Sequence, residues 1–268
     1  MPQTLLSRIT RLTAATLLVA VAMGASAADL LDTVKARGTI KIALEGTFPP
    51  FNFKDKKTNE LVGFDVDVAK LVAAKLGVKP EFITTEWSGI LAGLANGKYD
   101  VIVNQVGVTE KRREVFDFSD PYTLSSGQLI VQKNEKRVFK GFDDLKGKKL
   151  GVGQGTNHEQ KAKSVAGIEV KSYPGAPEYL QDLASGRIDA ALNDSLMVSY
   201  LLKTSDLPLK AGAPLGDIDK MAIPFQKNNP KFKAAINKAI ADIIKDGSFS
   251  QVSKKWFGRD VSKAPAAQ

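Results

Sequence analysis

The chain has 268 residues, of which 43% are hydrophobic and 25% charged, a composition typical of a globular protein and not of a disordered or polytopic membrane protein. It contains no cysteine, which excludes disulfide scaffolds, thiolate metal sites and cysteine nucleophiles, and its one histidine, His158, excludes a multi-histidine metal site. The formal net charge of +9 is spread over lysines and arginines scattered along the chain, so it does not indicate nucleic-acid binding.

The N-terminal 27 residues are predicted to be a cleaved secretory signal peptide. Arg8 and Arg11 make the start of the chain basic, residues 12–28 carry no charge, and residues 25–27 (ASA) form a small-x-small cleavage pattern. An uncleaved membrane anchor is the alternative, but the uncharged stretch is short for a membrane span and contains Thr, Gly and Ser. We therefore expect a mature chain that is free in the compartment across the membrane.

Short β-type segments alternate with amphipathic helical segments through the rest of the chain. In the helical segment 64–76, Val68, Val72 and Leu76 share a face, and Gly77 supplies a stop. The alternation of strands and helices predicts an α/β fold with a doubly wound parallel sheet. The predicted elements are strands over 39–44, 81–85, 99–104, 127–132 and from 149 onward, and helices over 64–76, 87–96 and 230–256, the last broken at Asp246 and Gly247.

An internal repeat predicts two similar lobes. Residues 94–104 (LANGKYDVIVN) recur as residues 183–193 (LASGRIDAALN), and the loop 45–47 (EGT) is similar to the loop 154–156 (QGT). A general helix-glycine-strand joint would explain the first match alone, but not both matches. Ligands of open α/β sheets bind beyond the carboxyl ends of the strands. The residues expected at those ends, facing one cleft, are Glu45, Asn104, Gln154 and Asn193.

Several motifs share one pattern along the chain. They are residues 63–76 (GFDVDVAKLVAAKL), 109–112 (TEKR), 116–122 (FDFSDPY), 143–148 (DDLKGK), 153–156 (GQGT) and 254–258 (KKWFG). Together they resemble the family 3 extracellular solute-binding proteins, which supply polar amino acids to ABC importers, and the similarity spans residues 30–262. Within that family, residues 45–48, 87–89 and 104–107 most resemble the cystine-binding members.

The resemblance implies a two-lobed periplasmic-binding-protein clamp, each lobe a doubly wound sheet, joined by two hinge strands. The implied division is a signal peptide (1–27), lobe 1 (28–121), a hinge strand (122–126), lobe 2 (127–217), a second hinge strand (218–221), a return to lobe 1 (222–262) and a tail (263–268).

An α-amino acid carries a carboxylate and an ammonium on one carbon, so its site needs a cation and an anion. The resemblance implies that Arg112, in the Thr-x-x-Arg motif, binds the carboxylate through its guanidinium fork and that Asp194 binds the ammonium. On the sequence alone, Arg112 would be part of a solvated run with Lys111 and Arg113, and Asp194 would equally suit an N-cap. Arg113 keeps the solvated interpretation.

The remaining site residues complete the expected cleft. Thr156, with the backbone of Gly155 and Asn157, opens a helix of lobe 2 whose free N–H groups favour an anion. Glu45 is expected at the ligand side chain or its ammonium. Aromatic walls on the ligand side chain are expected from Phe48 and Phe64, and polar contacts from Asn104, Gln105 and Gly107. Trp87 is expected in the core or at the cleft edge, and His158 on the surface.

The function implied is that of a periplasmic receptor that captures a polar L-amino acid, with cystine first, and delivers it to an ABC permease in the inner membrane. Arginine or lysine, glutamine and histidine are the competing ligands. A dehydratase on the same fold, with Glu45 or Asp194 as a general acid, is the enzymatic alternative. We expect a monomer with no catalytic residue, cofactor, metal or nucleic-acid partner.

Overall fold

The computed structural model describes residues 28–264 and divides them between two lobes, each built on a five-stranded sheet. The predicted signal peptide lies outside the described residues. The strands are β1 (Thr39–Leu44), β2 (Thr47–Phe48), β3 (Asn52–Lys54), β4 (Leu61–Val62), β5 (Lys79–Thr84), β6 (Val101–Ile102), β7 (Phe116–Phe118), β8 (Thr123–Gln132), β9 (Lys149–Gly153), β10 (Glu169–Tyr173), β11 (Ala190–Asp194), β12 (Leu209–Met221) and β13 (Pro224–Gln226). The helices are α1 (Leu30–Arg37), α2 (Phe64–Leu76), α3 (Trp87–Ala95), α4 (Glu110–Arg113), α5 (Asn157–Lys163), α6 (Ala176–Ala184), α7 (Ser195–Thr204), α8 (Pro230–Lys245) and α9 (Ser248–Phe257).

The two sheets have the same arrangement of parallel and antiparallel strands. In lobe 1 the strand order is β5-β1-β6-β13-β7, with β1 parallel to β5 and β6, and β13 antiparallel to β6 and β7. In lobe 2 the order is β10-β9-β11-β8-β12, with β9 parallel to β10 and β11, and β8 antiparallel to β11 and β12. Helices connect the parallel strands in both lobes, so the predicted α/β fold with two similar lobes is confirmed.

The internal repeat corresponds to one local structure that occurs in both lobes. After α3, Gly97 takes a left-handed φ of 67° and donates to the carbonyl of Leu94, and after α6, Gly186 takes a φ of 76° and donates to the carbonyl of Leu183. A residue with a side chain rarely adopts this φ, so glycine at these positions ends each helix and turns the chain into the next strand.

Two matched aspartates then fix the strands. The carboxylate of Asp100 accepts a hydrogen bond from the backbone N–H of Lys41 in β1, and the carboxylate of Asp189 accepts one from the backbone N–H of Lys149 in β9. Each aspartate also forms an ion pair with an arginine, Arg37 in lobe 1 and Arg137 in lobe 2. The repeated Asp therefore anchors the second strand of each sheet, β1 in lobe 1 and β9 in lobe 2.

Most predicted element bounds agree with the structure, and three strands differ. Strand β8 begins at Thr123 and not at residue 127, because it includes the segment predicted as a hinge. Helix α2 has the predicted bounds, and the predicted break at Asp246 and Gly247 separates α8 from α9. Strand β5 begins earlier than predicted and contains Pro80, which an edge strand tolerates because one side of it needs no N–H donor. Strand β6 is shorter than predicted, since Gln105 takes a left-handed φ of 49° and turns the chain away.

Two strands cross between the lobes. Residues 123–126 of β8 pair with residues 218–221 of β12, within the segments that were predicted as hinges. The same two strands continue into the sheet of lobe 2, and the chain after β12 returns to lobe 1, where α8 and α9 pack on α2. Within residues 28–264, no helix has both the length and the apolar character needed to cross a membrane.

Candidate functional site

A cavity lies between the lobes, beyond the carboxyl ends of the parallel strands, with about 550 Å³ of empty space that includes its opening to solvent. Strands β1 and β6 end at it from lobe 1, and strands β9 and β11 end at it from lobe 2. Of the four residues expected at these strand ends, Glu45, Asn104 and Asn193 line the cavity and Gln154 does not. The lining consists of Glu45, Phe48, Trp87, Asn104, Gln105, Gly153, Thr156, Asn157, His158, Gly175, Ala176, Tyr179, Leu192, Asn193, Asp194 and Met221.

Arg112 is buried beside this cavity and not in its lining. It is the third residue of the short helix α4, which Thr109 caps by accepting a hydrogen bond from the Arg112 N–H. Its Nη1 donates to the carbonyl of Gly107 at 2.6 Å and its Nη2 to the carbonyl of Gly155 at 2.9 Å. The guanidinium carbon lies 5.5 Å from the ring centre of Trp87, a cation-π distance.

The charge state of Arg112 follows from its burial. Burial lowers its pKa to about 10, against the opposing attraction of Asp219, so the side chain stays protonated at neutral pH. Its Nε is buried and has no hydrogen-bond partner among the described residues. The neighbouring Arg113 is exposed and lies 3.9 Å from Glu110. The two arginines thus differ as the sequence analysis expects.

Asp194 is the buried anion of the cavity lining. Its Oδ1 accepts the N–H of Leu196 at 2.7 Å and so caps α7, whereas its Oδ2 is buried without a partner among the described residues. Both interpretations of the sequence therefore fit one side chain, because one oxygen caps the helix and the other is free for a ligand. Burial raises the pKa of Asp194 to about 6, since a low-dielectric surrounding disfavours the charged carboxylate.

The loop before α5 is held by its own hydrogen bonds. The hydroxyl of Thr156 accepts the N–H of Glu159 at 3.0 Å and donates to the carbonyl of Gly153 at 2.8 Å, so it serves as a helix cap at the cavity wall. Gly155 has a φ of 74° and donates its N–H to the carboxylate of Glu159 at 2.6 Å. Asn157 donates to Asp219 of the hinge strand β12 at 3.0 Å.

Glu45 and Asn104 form a polar pair at the lobe 1 side of the cavity. The amide of Asn104 donates to Oε2 of Glu45 at 2.7 Å, and its oxygen accepts the backbone N–H of Glu45 at 2.9 Å and the Nδ2 of Asn52 at 2.8 Å. Burial raises the pKa of Glu45 to about 7, opposed by the Asn104 hydrogen bond and assisted by the negative charge of Glu178. The pair can therefore accept a hydrogen bond or a positive charge from a ligand.

Gln105 links the cavity to a buried network behind it. Its Nε2 donates to Oδ1 of Asp65 at 2.7 Å, and the hydroxyl of Tyr122 donates to the same oxygen at 2.9 Å. Burial raises the pKa of Asp65 to about 7. Neither Asp65 nor Tyr122 was predicted as part of this site. The motif around Asp65 indicates only the start of a helix, and the motif around Tyr122 indicates only the end of a strand.

The two predicted aromatic walls have different positions. Phe48 lines the cavity, but Phe64 is fully buried in lobe 1 and packs against Phe249 and Phe257 with ring centres 5.7 Å and 5.0 Å apart. The expectation that Phe64 forms a wall of the cavity is therefore wrong. Its place at the start of α2 directs it into the core that α9 completes, and the cavity lining combines Phe48 with Trp87 and Tyr179.

His158 is also placed differently from the prediction. It was expected on the surface, but it is 6% exposed and lines the cavity as the second residue of α5. Burial lowers its pKa to about 4, so the imidazole is neutral at pH 7. The surface interpretation failed because a polar residue at a helix start is ordinarily solvated, and only the approach of the hinge strands covers this one. Gly127 of β8 is close enough that a methyl group there would lie 3.4 Å from the imidazole.

Gly107 lies where the lobes approach each other. It is absent from the cavity lining, but a methyl group added there would stand 3.2 Å from the side chain of Asn157 in lobe 2. Its carbonyl accepts a hydrogen bond from Arg112, whereas its predicted contact was to the ligand. Asn193, which is expected at the cleft because it matches Asn104 in the repeat, lines the cavity, whereas no signal in the sequence indicated Tyr179. Among the described residues no cluster of three or more His, Asp or Glu side chains is arranged to hold a metal ion.

Comparison with known proteins yields one consistent group. The model of bacterial extracellular solute-binding proteins, family 3, matches residues 40–259. The chain is 42% identical over 235 residues to the L-cystine-binding protein TcyJ of Escherichia coli (strain K12), which covers 87% of this chain and 88% of that protein. It is 38% identical over 236 residues to the L-cystine-binding protein TcyA of Bacillus subtilis (strain 168), which covers 88% of this chain and 87% of that protein. An ancestral arginine-binding protein solved with arginine superposes with a TM-score of 0.78 at 39% identity, covering 83% of this chain and 99% of that one.

Proposed function

The chain belongs to family 3 of the bacterial extracellular solute-binding proteins, and from this premise we propose that it captures one polar L-α-amino acid, cystine first among the candidates, and delivers it to an ABC permease in the inner membrane. The protein acts as a monomer in the periplasm, after cleavage of residues 1–27. Its lobes comprise residues 28–121 with 222–262, and residues 127–217, and they close about hinge segments 122–126 and 218–221.

The observation that carries this proposal is a pair of buried, oppositely charged groups with free atoms. Arg112 Nε and Asp194 Oδ2 are both buried without partners among the described residues, one in lobe 1 and one at the end of a lobe 2 strand. Leaving such groups unpaired is costly, and the two ends of an α-amino acid would satisfy them together. The Arg112 guanidinium would donate to the ligand carboxylate in place of the Gly155 carbonyl, and the Asp194 carboxylate would bind the ligand ammonium.

Cystine fits the rest of the cavity by its chemistry. Its disulfide suits the apolar faces of Phe48 and Trp87, which replace the expected pair of phenylalanines. Its second amino-acid head would meet the polar pair of Glu45 and Asn104 and the adjacent Asn193. The names of TcyJ and TcyA support this ligand. Arginine is the main competitor, since Glu45 would accept a guanidinium and the ancestral arginine-binding protein has the same fold.

A competition assay identifies the ligand. Protein refolded to remove carried-over amino acids is titrated with cystine, arginine, glutamine and histidine, and thermal stability is measured after each addition. A ligand at 100 times its dissociation constant adds about 2.7 kcal/mol of stability. Cystine should act at the lowest concentration and lose this advantage in dithiothreitol. Tighter binding of arginine that is insensitive to the reductant would replace cystine as the ligand, and no shift with any amino acid would refute the receptor function.

A dehydratase is the second candidate, because the raised pKa of Glu45 suits a general acid. We propose that the protein is not an enzyme, since Asp194 and Arg112 are then occupied by an unreactive zwitterion and Glu45 is hydrogen-bonded to Asn104. The assay is recovery of the bound amino acid by mass spectrometry after prolonged incubation. Recovery of the unchanged ligand supports a receptor, and loss of water from a hydroxy acid by the same protein would support the enzyme.

A further inference from the structure

We infer that Trp87 is a latch between the lobes and a positioning residue for Arg112, so that it sets how slowly a bound amino acid is released. This inference rests on the proposed function, which supplies the amino-acid ligand, but the contact that it concerns lies between two parts of the protein. Trp87 opens α3 in lobe 1, and its indole Nε1 donates to the backbone carbonyl of Gln154 in lobe 2 at 2.8 Å. The side chain is nearly buried, with 9% exposed.

Arg112 makes the second contact of the same kind. Its Nη2 donates to the carbonyl of Gly155, the residue after Gln154, and its guanidinium lies over the Trp87 ring. Two stacked side chains of lobe 1 therefore hold two successive carbonyls of one lobe 2 loop. Among residues 28–264, these are the two side-chain hydrogen bonds that pass from lobe 1 to lobe 2 across the cleft.

The two contacts respond differently to a ligand. Arg112 must also donate its guanidinium N–H groups to the ligand carboxylate, so its hydrogen bond to the Gly155 carbonyl weakens when the ligand binds. The Trp87 bond involves an indole N–H and a backbone carbonyl, neither of which the amino acid needs, so it persists in the ligand-bound clamp. An indole N–H bond of this kind stabilises closure for every ligand by the same amount, because it does not depend on the ligand side chain.

The apolar contacts across the cleft lack this directionality. Phe53 of lobe 1 lies 6.2 Å from the ring centre of Tyr200 in lobe 2, and α6 packs near β2. Such contacts tolerate sliding, whereas a hydrogen bond is lost when its atoms move apart by about 1 Å. Trp87 is thus the part of the interface that fixes the loop of residues 154–156 relative to Arg112.

The chain offers a matched control for a substitution of Trp87. Its other tryptophan, Trp256, also donates from Nε1, to the carboxylate of Asp67 at 2.9 Å, but both residues belong to lobe 1. Trp87→Phe keeps an aromatic ring over Arg112 and removes the N–H donor, and Trp256→Phe removes the same kind of donor away from the cleft. Circular dichroism and thermal melting establish that both variants fold.

The test has one arm without ligand and one with ligand. The latch keeps part of the ligand-free population closed and the ligand closes the rest, so in ligand-free protein the amide hydrogen exchange of residues 153–158 should become measurably faster in Trp87→Phe and stay unchanged in Trp256→Phe. In the second arm, release of radiolabelled cystine and of radiolabelled arginine is followed by rapid filtration. We expect release roughly tenfold faster in Trp87→Phe, by the same factor for both amino acids, as the loss of one such hydrogen bond implies.

Each outcome decides a separate point. Unchanged exchange in the ligand-free arm, or release as slow as in the wild type, would refute the latch. A change in release for only one of the amino acids would mean that Trp87 acts only through its ring contact with the ligand side chain and not as a latch. If the wild type binds neither amino acid, the proposed function fails, and the exchange of the ligand-free protein still tests the latch.

Discussion

Arg112 and Arg113 are adjacent in sequence but have opposite surroundings, and this difference predicts their roles. Arg112→Ala should weaken amino-acid binding by roughly 3–5 kcal/mol, because the ligand carboxylate would be buried without its cation. Arg113→Ala should change binding by about 1 kcal/mol or less, since its charge is exposed and screened by water. Titration calorimetry of both variants with the same amino acid measures the two values. Equal losses would contradict the assignment.

The raised pKa of Asp194 predicts how amino-acid binding depends on pH. Its pKa in the ligand-free protein is raised to about 6, and only the charged carboxylate binds an ammonium. Lowering the pH through 6 therefore protonates the site and weakens binding, whereas above pH 7 the carboxylate is already charged. At pH 6 the ligand should release protons from the protein, so the calorimetric enthalpy should depend on the ionisation enthalpy of the buffer.

Two variants separate the titration of Asp194 from that of Glu45, the other carboxyl group of the cavity lining. Glu45 has a pKa of about 7 and also lines the cavity, so Glu45→Gln should remove any titration between pH 6.5 and 7.5 and leave the fall near pH 6. Asp194→Asn should bind weakly at every pH and show no fall near pH 6. A fall near pH 6 that persists in Asp194→Asn would assign the titration to a different group.

Arg112 was predictable only through the resemblance of its Thr-x-x-Arg motif to the family pattern. The sequence alone would place it in a solvated run with Lys111 and Arg113, although Thr109 caps the helix on which both arginines lie. Phe64 was misplaced because its neighbours in the core, Phe249 and Phe257, come from the other end of the chain, and no local pattern indicates that contact.

At the scale of elements, helix ends were predicted better than strand ends. Gly77 ends α2 at the predicted residue because a left-handed glycine is a local signal in the sequence. The ends of β5 and β6 depend on which strand lies beside them, since Pro80 is allowed only at a sheet edge and Asn104 turns its amide to the backbone of Glu45. Partners of this kind are remote in sequence, so periodicity does not reveal them.

The contact between the loop of Gly107 and helix α5 predicts a steric block to closure. Gly107→Ala adds a methyl group 3.2 Å from Asn157, and Asn157 has little freedom to move because Asp219 holds its amide. We expect amino-acid affinity to fall about tenfold, with the melting temperature of the ligand-free protein changed little. Calorimetry and a thermal melt of the same preparation measure both quantities.

The control for this substitution is another glycine of lobe 1. Gly89 lies in α3, and a methyl group there would meet no atom within 4 Å. Gly89→Ala should therefore bind with wild-type affinity. An equal loss in Gly89→Ala would point to a general effect on lobe 1, and unchanged binding in Gly107→Ala would show that the lobes do not approach this closely when the ligand is bound.

For the whole molecule, the repeat was sufficient to predict two lobes, since it specifies the same helix-glycine-strand unit twice. The contacts across the cleft were not predictable. Trp87 and Gln154 are 67 residues apart, and the sequence around Trp87 indicates only a position in the core or at the cleft edge. The sequence therefore predicts the two halves of the site but not the hydrogen bonds that join them.

Closure of the whole molecule should depend on having one charged contact in each lobe. The carboxylate of a bound amino acid is held by Arg112 from lobe 1 and its ammonium by Asp194 from lobe 2, so the ligand links the lobes only when both charges are present. Small-angle scattering of the wild type should give a smaller radius of gyration with saturating amino acid than without it. Asp194→Asn at ligand concentrations well above its own dissociation constant should keep the larger radius, because the ammonium no longer draws lobe 2 onto the ligand. The same radius with and without ligand in the wild type would contradict closure, and full contraction in Asp194→Asn would mean that the contacts of Trp87 and Arg112 with residues 154–155 close the clamp without the ammonium.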